Sequence, residues 1–301
     1  MKKFLGLLLF TAVSLVSCEK LYNTSKGKQI SFTVSGAATY WTADDDIRIS
    51  CPESSISRSS SKWADYQAPL YGSTSPIVPS IKDTALRWGN GLHHFYAVYP
   101  ASEITGNVVA ATIPSVQDTD SPRLSLYGYM TAAAEAIRSE QAVNLPFKPM
   151  YTTLEFAVSP GDDVDVVVSG FRLVSTGGAL AGSFNAALSA QEEAAITIGS
   201  DSSSEITVNL GQTGSVTVNR GETFVVSVIA LPKDLTDLTA YFIVDGVEKA
   251  LPLVDKNGNP LVIAACKKSI IKSNGFLAPD QEGFFQISIE SQDVDEYDIT
   301  Y

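Results

Sequence analysis

The sequence predicts an all-β protein made of two tandem β-sandwich domains, and three observations lead to this prediction. Apolar and polar residues alternate through short segments, as in QISFTVS at residues 29–35, which indicates strands with one buried face. Glycines and prolines separate these segments at intervals of about 8–12 residues, a spacing typical of β-sandwiches. At 301 residues the chain is long enough for two cores, and we expect domains at residues 29–146 and 147–301.

The composition fits a folded, acidic protein. Hydrophobic residues make up 45% and charged residues 18% of the chain, which excludes the disordered class of proteins. Asp and Glu total 33 against 21 Lys and Arg, a formal net charge of -12. No basic patch accompanies this balance, so we expect no nucleic-acid partner.

The beginning of the chain has the pattern of an export signal. Lys2 and Lys3 precede an apolar run over residues 4–16, which is about as long as a signal-peptide core and shorter than the roughly 20 residues that span a bilayer. The run ends in Leu-Val-Ser-Cys at residues 15–18, which resembles a bacterial lipobox. That resemblance implies a signal peptide at residues 1–17, lipidation of Cys18, a tether at residues 18–28 and an outer-membrane anchor. An ordinary secretory signal with a chance cysteine is the alternative.

Four elements of the first half have the clearest patterns. Ile30, Phe32 and Val34 lie on one face of a predicted first strand, and DIRISC at residues 46–51 repeats the alternation. HHFYAVYP at residues 93–100 predicts a strand that ends at its proline. TAAAEAIRSEQA at residues 131–142 is rich in Ala and Glu and predicts the one helix of the chain.

The second half is predicted to be almost entirely strand. Asp245-Gly246 is the strongest signal for a hairpin turn. SEITVNLGQTGSVTVN at residues 204–219 predicts a second hairpin, and SGFRLVSTGGALAGSF at residues 169–184 predicts a third with a glycine turn. Gly170 predicts a break in its strand.

Two cysteines follow Cys18, namely Cys51 and Cys266. An exported protein can join such a pair in a disulfide. The alternative is that both are buried, small apolar residues.

Several stretches, taken in order, resemble the fimbrillin family of Bacteroidetes. ISFTVS at residues 30–35 and YWTADDDIRIS at residues 40–50 are similar to the family's first strand and the segment after it. RWGNGLHHFYAVYP at residues 87–100 resembles its Phe-x-Ala-x-Tyr-Pro strand, and FVVSVIALPKDL at residues 224–235 resembles a strand of its second domain. The resemblance implies two transthyretin-like (Greek-key) sandwich domains and a structural or accessory role in surface fimbriae, in assembly and adhesion.

The resemblance also implies that the chain joins other fimbrial subunits, or itself, by strand exchange, in which a sheet accepts a strand from a neighbour. A first strand that is exchanged or retained and a C-terminal donor strand are the candidate segments, with these residues: Ile30, Phe32, Val34, Phe285, Ile287 and Ile289. Polymerising relatives carry an arginine after the first strand, where a protease cuts. Residues 36–39 here read Gly-Ala-Ala-Thr, so that cleavage site is missing.

The chain's two histidines, His93 and His94, are adjacent. Neighbours on a strand point to opposite faces, so the pair cannot bind one metal ion together, and no Ser or Cys nucleophile motif accompanies them. The carboxylates at residues 44–46 lack the spacing of a calcium loop. We therefore predict no enzyme activity, no cofactor and no metal site.

Trp63 and Tyr66 lie in a stretch with an irregular pattern, SKWADYQAPLYG at residues 61–72. Exposed rings there would stack on a sugar, and packing against the core is the alternative. These two residues define the alternative function, a monomeric surface lipoprotein that binds glycans. Host or bacterial surface glycans or proteins are accordingly a further class of expected partner, besides the membrane contacted by the lipid anchor.

Overall fold

The computed structural model describes residues 27–36, 46–55, 62–67, 75–81, 84–119, 128–161, 164–278 and 288–293. The predicted signal peptide, Cys18 and most of the tether lie outside these residues. The regular structure of the described part is entirely β, which confirms the all-β prediction. No helix within it is long and apolar enough to cross a membrane.

The described residues form 22 strands. The strands up to residue 149 are β1 (Phe32–Ser35), β2 (Asp46–Ser50), β3 (Trp63–Gln67), β4 (Ser75–Pro79), β5 (Leu92–Tyr99), β6 (Ile104–Thr105), β7 (Val108–Ile113), β8 (Val116–Asp118), β9 (Met130–Ile137), β10 (Val143–Pro146) and β11 (Lys148–Pro149). The later strands are β12 (Thr152–Val158), β13 (Val166–Ser175), β14 (Gly182–Ala187), β15 (Ala195–Ile198), β16 (Glu205–Asn209), β17 (Val216–Val218), β18 (Phe224–Ala230), β19 (Leu238–Val244), β20 (Val247–Pro252), β21 (Lys267–Ser273) and β22 (Ser288–Asp293).

The first half is built on an eight-stranded sheet in the order β10-β1-β4-β3-β2-β5-β9-β11. Its buried side chains alternate with outward ones, as the sequence pattern predicts. Phe32 of β1 contacts Tyr66 of β3 and Phe95 of β5, with ring centroids 5.3 Å apart in both pairs. Because three strands lie between β1 and β5 in the sheet order, the sheet must curve around its own core.

The second half is a sandwich of two further sheets. One has the order β18-β12-β21-β22, and the other has the order β20-β19-β13-β16-β8 with β17 also on β13. Phe156 of the first sheet contacts Phe171 of the second, with ring centroids 5.2 Å apart. The inner faces of the two sheets therefore share one aromatic core.

Residues 108–118 lie in the predicted first domain, yet their two strands, β7 and β8, pair with strands of the second half. In the fourth sheet, ordered β15-β14-β7-β6, β7 runs antiparallel to β14, and β8 adds to β16 of the six-stranded sheet in parallel. The division at residue 146 stays a prediction. These pairings bind the two sides of that division together, and no local pattern in the sequence indicates them.

The predicted helix at residues 131–142 is wrong, because most of this stretch is β9. Each of its eight residues pairs with β5, from Met130 opposite Tyr99 to Ile137 opposite Leu92. Ala and Glu favour helices by only a few tenths of a kcal/mol per residue, so a full ladder with a central strand overrides that preference.

The predicted turns have mixed outcomes. Asp245-Gly246 forms a two-residue hairpin between β19 and β20, with φ angles of 50° and 81°, as a type I′ turn requires. Gly170 marks the register shift between β13 and β19. The other two hairpin predictions are wrong: β16 and β17 both pair with β13, and β13 and β14 belong to different sheets.

Gln117, on β8, is fully buried, and its amide joins two sheets. Its Nε2 donates to the carbonyl of Ile229 at 2.7 Å, and its Oε1 accepts from the N–H of Ile229 at 3.0 Å. Ile229 belongs to β18, which lies at the edge of its sheet. The amide therefore takes the place that a neighbouring strand would have, and β8 closes this side of the sandwich.

We expect Gln117→Ala to lower the free energy of unfolding by about 2–6 kcal/mol, because two buried backbone groups lose their partner at about 1–3 kcal/mol each. Chemical denaturation measures the loss. Gln191 is exposed, so Gln191→Ala serves as the matched control and should change stability by no more than about 0.5 kcal/mol. Equal effects of the two substitutions would contradict the bridging role of Gln117.

Candidate strand-exchange and ligand-contact sites

Strand β1 is bonded along both edges. It runs parallel to β10, with Phe32 opposite Val143, and antiparallel to β4, with Phe32 opposite Ile77. The residues at its two ends accept further backbone bonds, from Val143 to Ser31 at 2.9 Å and from Phe147 to Ser35 at 2.8 Å. Two ladders must therefore open before β1 can leave the sheet.

The predicted exchange residues of the first strand all face the core. Ile30, Phe32 and Val34 are no more than 1% exposed. Exposing a buried side chain of this size costs about 1.5–3 kcal/mol. Loss of β1 would leave an apolar groove between β10 and β4, which only another strand of similar pattern could fill.

The C-terminal candidate has a different position. β22 lies at the edge of the second-half sheet and pairs antiparallel with β21, with Ile289 opposite Ile271. Among the described strands, β21 is its one neighbour. Phe285 and Ile287 lie outside the described residues. One ladder therefore holds β22, whereas two hold β1.

Trp63 begins β3 and points outward, with 37% of its surface exposed. The guanidinium carbon of Arg48, on the neighbouring β2, lies 3.9 Å from the centre of the indole ring. Asp65 accepts two bonds from the same guanidinium, from Nε at 2.7 Å and from Nη2 at 2.9 Å. The fork-like contact fixes Arg48, and Arg48 in turn fixes the ring by a cation–π contact.

Tyr66, the other predicted glycan contact, is 1% exposed and presents no ring face to a ligand. Its hydroxyl oxygen accepts a bond from the N–H of Leu86 at 2.9 Å. Burial raises the pKa of this hydroxyl above its ordinary value. Tyr66 lies one residue out of phase with Trp63 along β3, so the two rings point to opposite faces of the strand.

His93 is buried and has a structural role. Its Nε2 accepts a bond from the N–H of Gly89 at 2.7 Å, which assigns the proton to Nδ1, 3.1 Å from the carbonyl of Gly91. Its ring lies edge-on to Trp88, with centroids 4.9 Å apart. Both ring nitrogens are engaged with backbone groups, so this arrangement leaves neither available as a general base.

His94 points to the opposite face, as predicted, and lies between two glutamates. Its Nδ1 is 2.9 Å from Glu53 Oε1, and its Nε2 is 3.3 Å from Glu135 Oε1. Because the carboxylates flank different nitrogens, they cannot share an ion with the ring. No group of three or more His, Cys, Asp or Glu in the described part of the chain is placed to hold a metal.

Glu53 has an altered acidity. Burial by itself raises the pKa of Glu53, but bonds from the backbone N–H and the ring of His94 outweigh it, so the pKa lies below its usual value. The ionised form is therefore the one that the fold favours.

Neither Cys51 nor Cys266 forms a disulfide. Burial is the main cause that raises the pKa of Cys51 to about 12 and that of Cys266 to about 11. Both thiols are therefore protonated and unreactive at neutral pH.

The sequence reading missed Arg48, Asp65 and Gln117. Alternation along β2 and β3 places the first two on outward faces, which was a usable signal, but their pairing depends on the sheet order. Nothing in the local sequence marks Gln117, because its burial comes from a strand of the other half.

A family model described as fimbrillin-like matches residues 33–272. The chain belongs to the fimbrillin-like family. The match covers both halves of the chain, from β1 into β21, and confirms the resemblance carried by the sequence motifs. None of the curated protein sequences compared with this fimbrillin-like chain matches it.

Solved structures confirm the fold of this fimbrillin-like chain. A crystallised Bacteroides uniformis protein assigned to cell adhesion is 12% identical with a TM-score of 0.59, over 88% of this chain and 98% of its own. A Bacteroides ovatus protein of the same assignment is 13% identical with a TM-score of 0.58, over 89% of this chain and 98% of its own. At such identities the likeness concerns the fold alone.

We expect Tyr66→Phe to destabilise the protein by about 1–3 kcal/mol, because the buried N–H of Leu86 loses its acceptor. Thermal and chemical unfolding report the change. Tyr241 is stacked on Arg172 at the surface of the other half, so Tyr241→Phe is the control and should stay within about 0.5 kcal/mol. A neutral Tyr66→Phe would contradict the buried bond.

A carboxyl whose pKa is lowered on folding adds stability above its unfolded pKa, about 4.3 for Glu, and loses it as pH falls through the folded value. Glu53→Gln should therefore destabilise the protein most at neutral pH, and the difference from wild type should shrink below about pH 4. Urea unfolding across this pH range tests the dependence, with exposed Glu103→Gln as the control. A pH-independent difference would contradict it.

Proposed function

We propose that this chain is a structural or accessory subunit of surface fimbriae and acts in their assembly and in adhesion. Its membership of the fimbrillin-like family supports this role, and the observation that carries it is the unequal hold on its two candidate exchange strands. We assign it no catalysis, which agrees with the engagement of both His93 ring nitrogens. The two-domain, transthyretin-like organisation belongs to the same proposal.

The proposal places the protein on the outer membrane at the cell surface, attached by a lipid on Cys18. The lipobox-like segment supports this, since several acyl chains on one cysteine give a stable anchor at about 0.8 kcal/mol per buried methylene. Mature protein would then begin at Cys18. The anchor would hold one end of the chain at the membrane while its sheets remain free to meet another subunit.

Within this role, we propose that β1 is the strand that the chain retains in its own sheet. Its two ladders and its buried side chains at Ile30, Phe32 and Val34 oppose release. No Lys or Arg stands between residues 29 and 47, so a protease that cuts after basic residues finds no site in the connection to β2. With β1 in place the groove between β10 and β4 stays filled.

On the same grounds we propose that β22 is the donated strand. It lies at a sheet edge and is held by one ladder to β21, so its transfer to another subunit exchanges one set of backbone bonds for an equivalent set. A chain that keeps β1 and gives β22 donates a strand but offers no acceptor groove between β10 and β4. Such a chain ends a row of subunits, as an accessory subunit does.

Two engineered disulfides separate these assignments. T33C/P76C joins β1 to β4 at register partners. Proline has no N–H to donate, so this pair is of the non-hydrogen-bonded type, at which opposite side chains lie close enough for a disulfide. S269C/S291C joins β21 to β22 at register partners. We call the two disulfides the β1 lock and the β22 lock, and each serves as the control for the other. Joining of each variant to fimbrial subunits is measured with and without reductant, in the native host or with purified fimbrial subunits.

We expect the β22 lock to abolish joining to fimbrial subunits until reductant is added, and the β1 lock to leave joining unchanged. The reverse result would show that β1 is the exchanged strand. Joining that survives both locks would contradict strand exchange as the mode of assembly. Thermal unfolding of each oxidised variant confirms that it is folded.

A further inference from the structure

The convex face of the eight-stranded sheet carries a surface that neither exchange strand uses. The outward side chains of Trp63, Asp65 and Gln67 on β3 and of Arg48 on β2 form it, and we name it the Trp63 shelf. Alternate residues of a strand share a face about 6.6–6.8 Å apart, so an aromatic ring, a carboxylate and an amide follow one another along β3. Val78 on β4, opposite Gln67 and 48% exposed, continues the shelf.

The segment at residues 102–106 forms a wall beside the shelf. Arg48 Nη1 donates to the carbonyl of Ser102 at 3.3 Å, and Ser50 Oγ donates to the carbonyl of Gly106 at 3.0 Å. Since Arg48 and Ser50 both project outward from β2, these bonds place the segment over that strand. Ser50 is the register partner of Trp63 on β3, so the segment is bonded directly beside Trp63.

The ring of Trp63 is held ready for a ligand. Arg48 lies over one face of the ring, and 37% of the surface of Trp63 is exposed. Asp65 accepts two hydrogen bonds from Arg48. The side chain of Asp65 is 30% exposed and that of Arg48 is 22% exposed. These side chains therefore lose little conformational entropy when a ligand binds, and this preorganisation favours affinity.

We propose that the Trp63 shelf binds a neutral pyranose saccharide. The apolar C–H face of the sugar lies on the indole ring, as large aromatic surfaces favour. Each oxygen of Asp65 accepts one bond from Arg48 and has a second lone pair for a sugar hydroxyl, and Gln67 offers a donor and an acceptor further along β3. A few fixed polar groups beside an apolar contact are what orient a small ligand.

Charge selects the neutral class of sugar. The charge of Arg48 is already neutralised by Asp65, so Arg48 does not favour the carboxylate of a sialic or uronic acid. The chain as a whole has 33 acidic against 21 basic residues, and its field repels anionic glycans. Tyr66 faces the core, so Arg48 and Asp65, and not Tyr66, accompany Trp63 on the shelf.

The test is a titration of the full chain with methyl β-D-galactopyranoside, methyl β-D-glucopyranoside, lactose and cellobiose, with N-acetylneuraminic acid as the anionic arm. The three tryptophans give three indole N–H signals by NMR, and Trp63→Phe assigns the relevant one. We expect a saturable shift of the Trp63 signal with at least one neutral probe and none with the anionic probe. Dissociation constants are expected in the millimolar range, about -4 kcal/mol.

Variants give the decisive comparison. Trp63→Ala should weaken binding at least about tenfold, or about 1.4 kcal/mol, and Asp65→Asn should weaken it several-fold because Arg48 is released. Tyr241→Ala is the matched control, since it removes another arginine-stacked ring, and it should leave the affinity unchanged. Because Trp63 is partly exposed, Trp63→Ala should keep the wild-type unfolding midpoint.

Three results would overturn the inference: no saturable shift with any neutral probe up to about 50 mM, far above a millimolar constant; equal losses from Trp63→Ala and Tyr241→Ala; or stronger binding of the anionic probe. The outcome does not depend on the proposed fimbrial role. Joining to other subunits should be the same for wild type and Trp63→Ala, so a failure of either account leaves the other standing.

Discussion

The insertion of β1 between β10 and β4 is the constraint on which the first half of the molecule depends. A strand of four residues connects two parts of one sheet, and its Phe32 contacts rings from β3 and β5 across the core. The same strand completes the sheet, closes its curvature and fills the groove that strand exchange would use. The same segment therefore affects both stability and assembly. A chain that keeps β1 has a more stable fold but no acceptor groove between β10 and β4.

Two strands from the first half of the chain complete the sheets of the second half. β7 and β8 add to sheets of later strands, and Gln117 replaces a strand at the edge of β18 with one side-chain amide. A long β edge invites pairing with other chains, so this closure also limits where a partner strand can add. By contrast, β22 lies at an edge with β21 as its one neighbour among the described strands, which supports the proposal that it is the donated strand.

Local pattern predicted the parts of the fold that depend on local physics. Alternation identified β1 and β5, and Asp245-Gly246 fixed a hairpin whose positive φ angles these residues tolerate. The prediction failed where distant pairing decides the outcome, as in β9, where the ladder with β5 overrides the helix preference of alanine, and in β16 and β17, which share β13 instead of each other. The ligand-contact prediction for Trp63 stays a prediction, and the structure shows only that this residue is exposed at the start of β3. The prediction erred on Tyr66, because strand periodicity turns residues three apart to opposite faces.

The central claim is that the chain joins a fimbrial assembly while β1 stays in its own sheet. The most direct measurement compares unboiled and boiled protein from the native host on a gel, with N-terminal sequencing of every band that contains this chain. The account predicts a heat-sensitive high-mass band in which the chain begins at Cys18 and retains Ile30, Phe32 and Val34. A high-mass band whose chain begins beyond Ser35 would contradict the retention of β1, and a single monomer with no heat-sensitive band would contradict the fimbrial role.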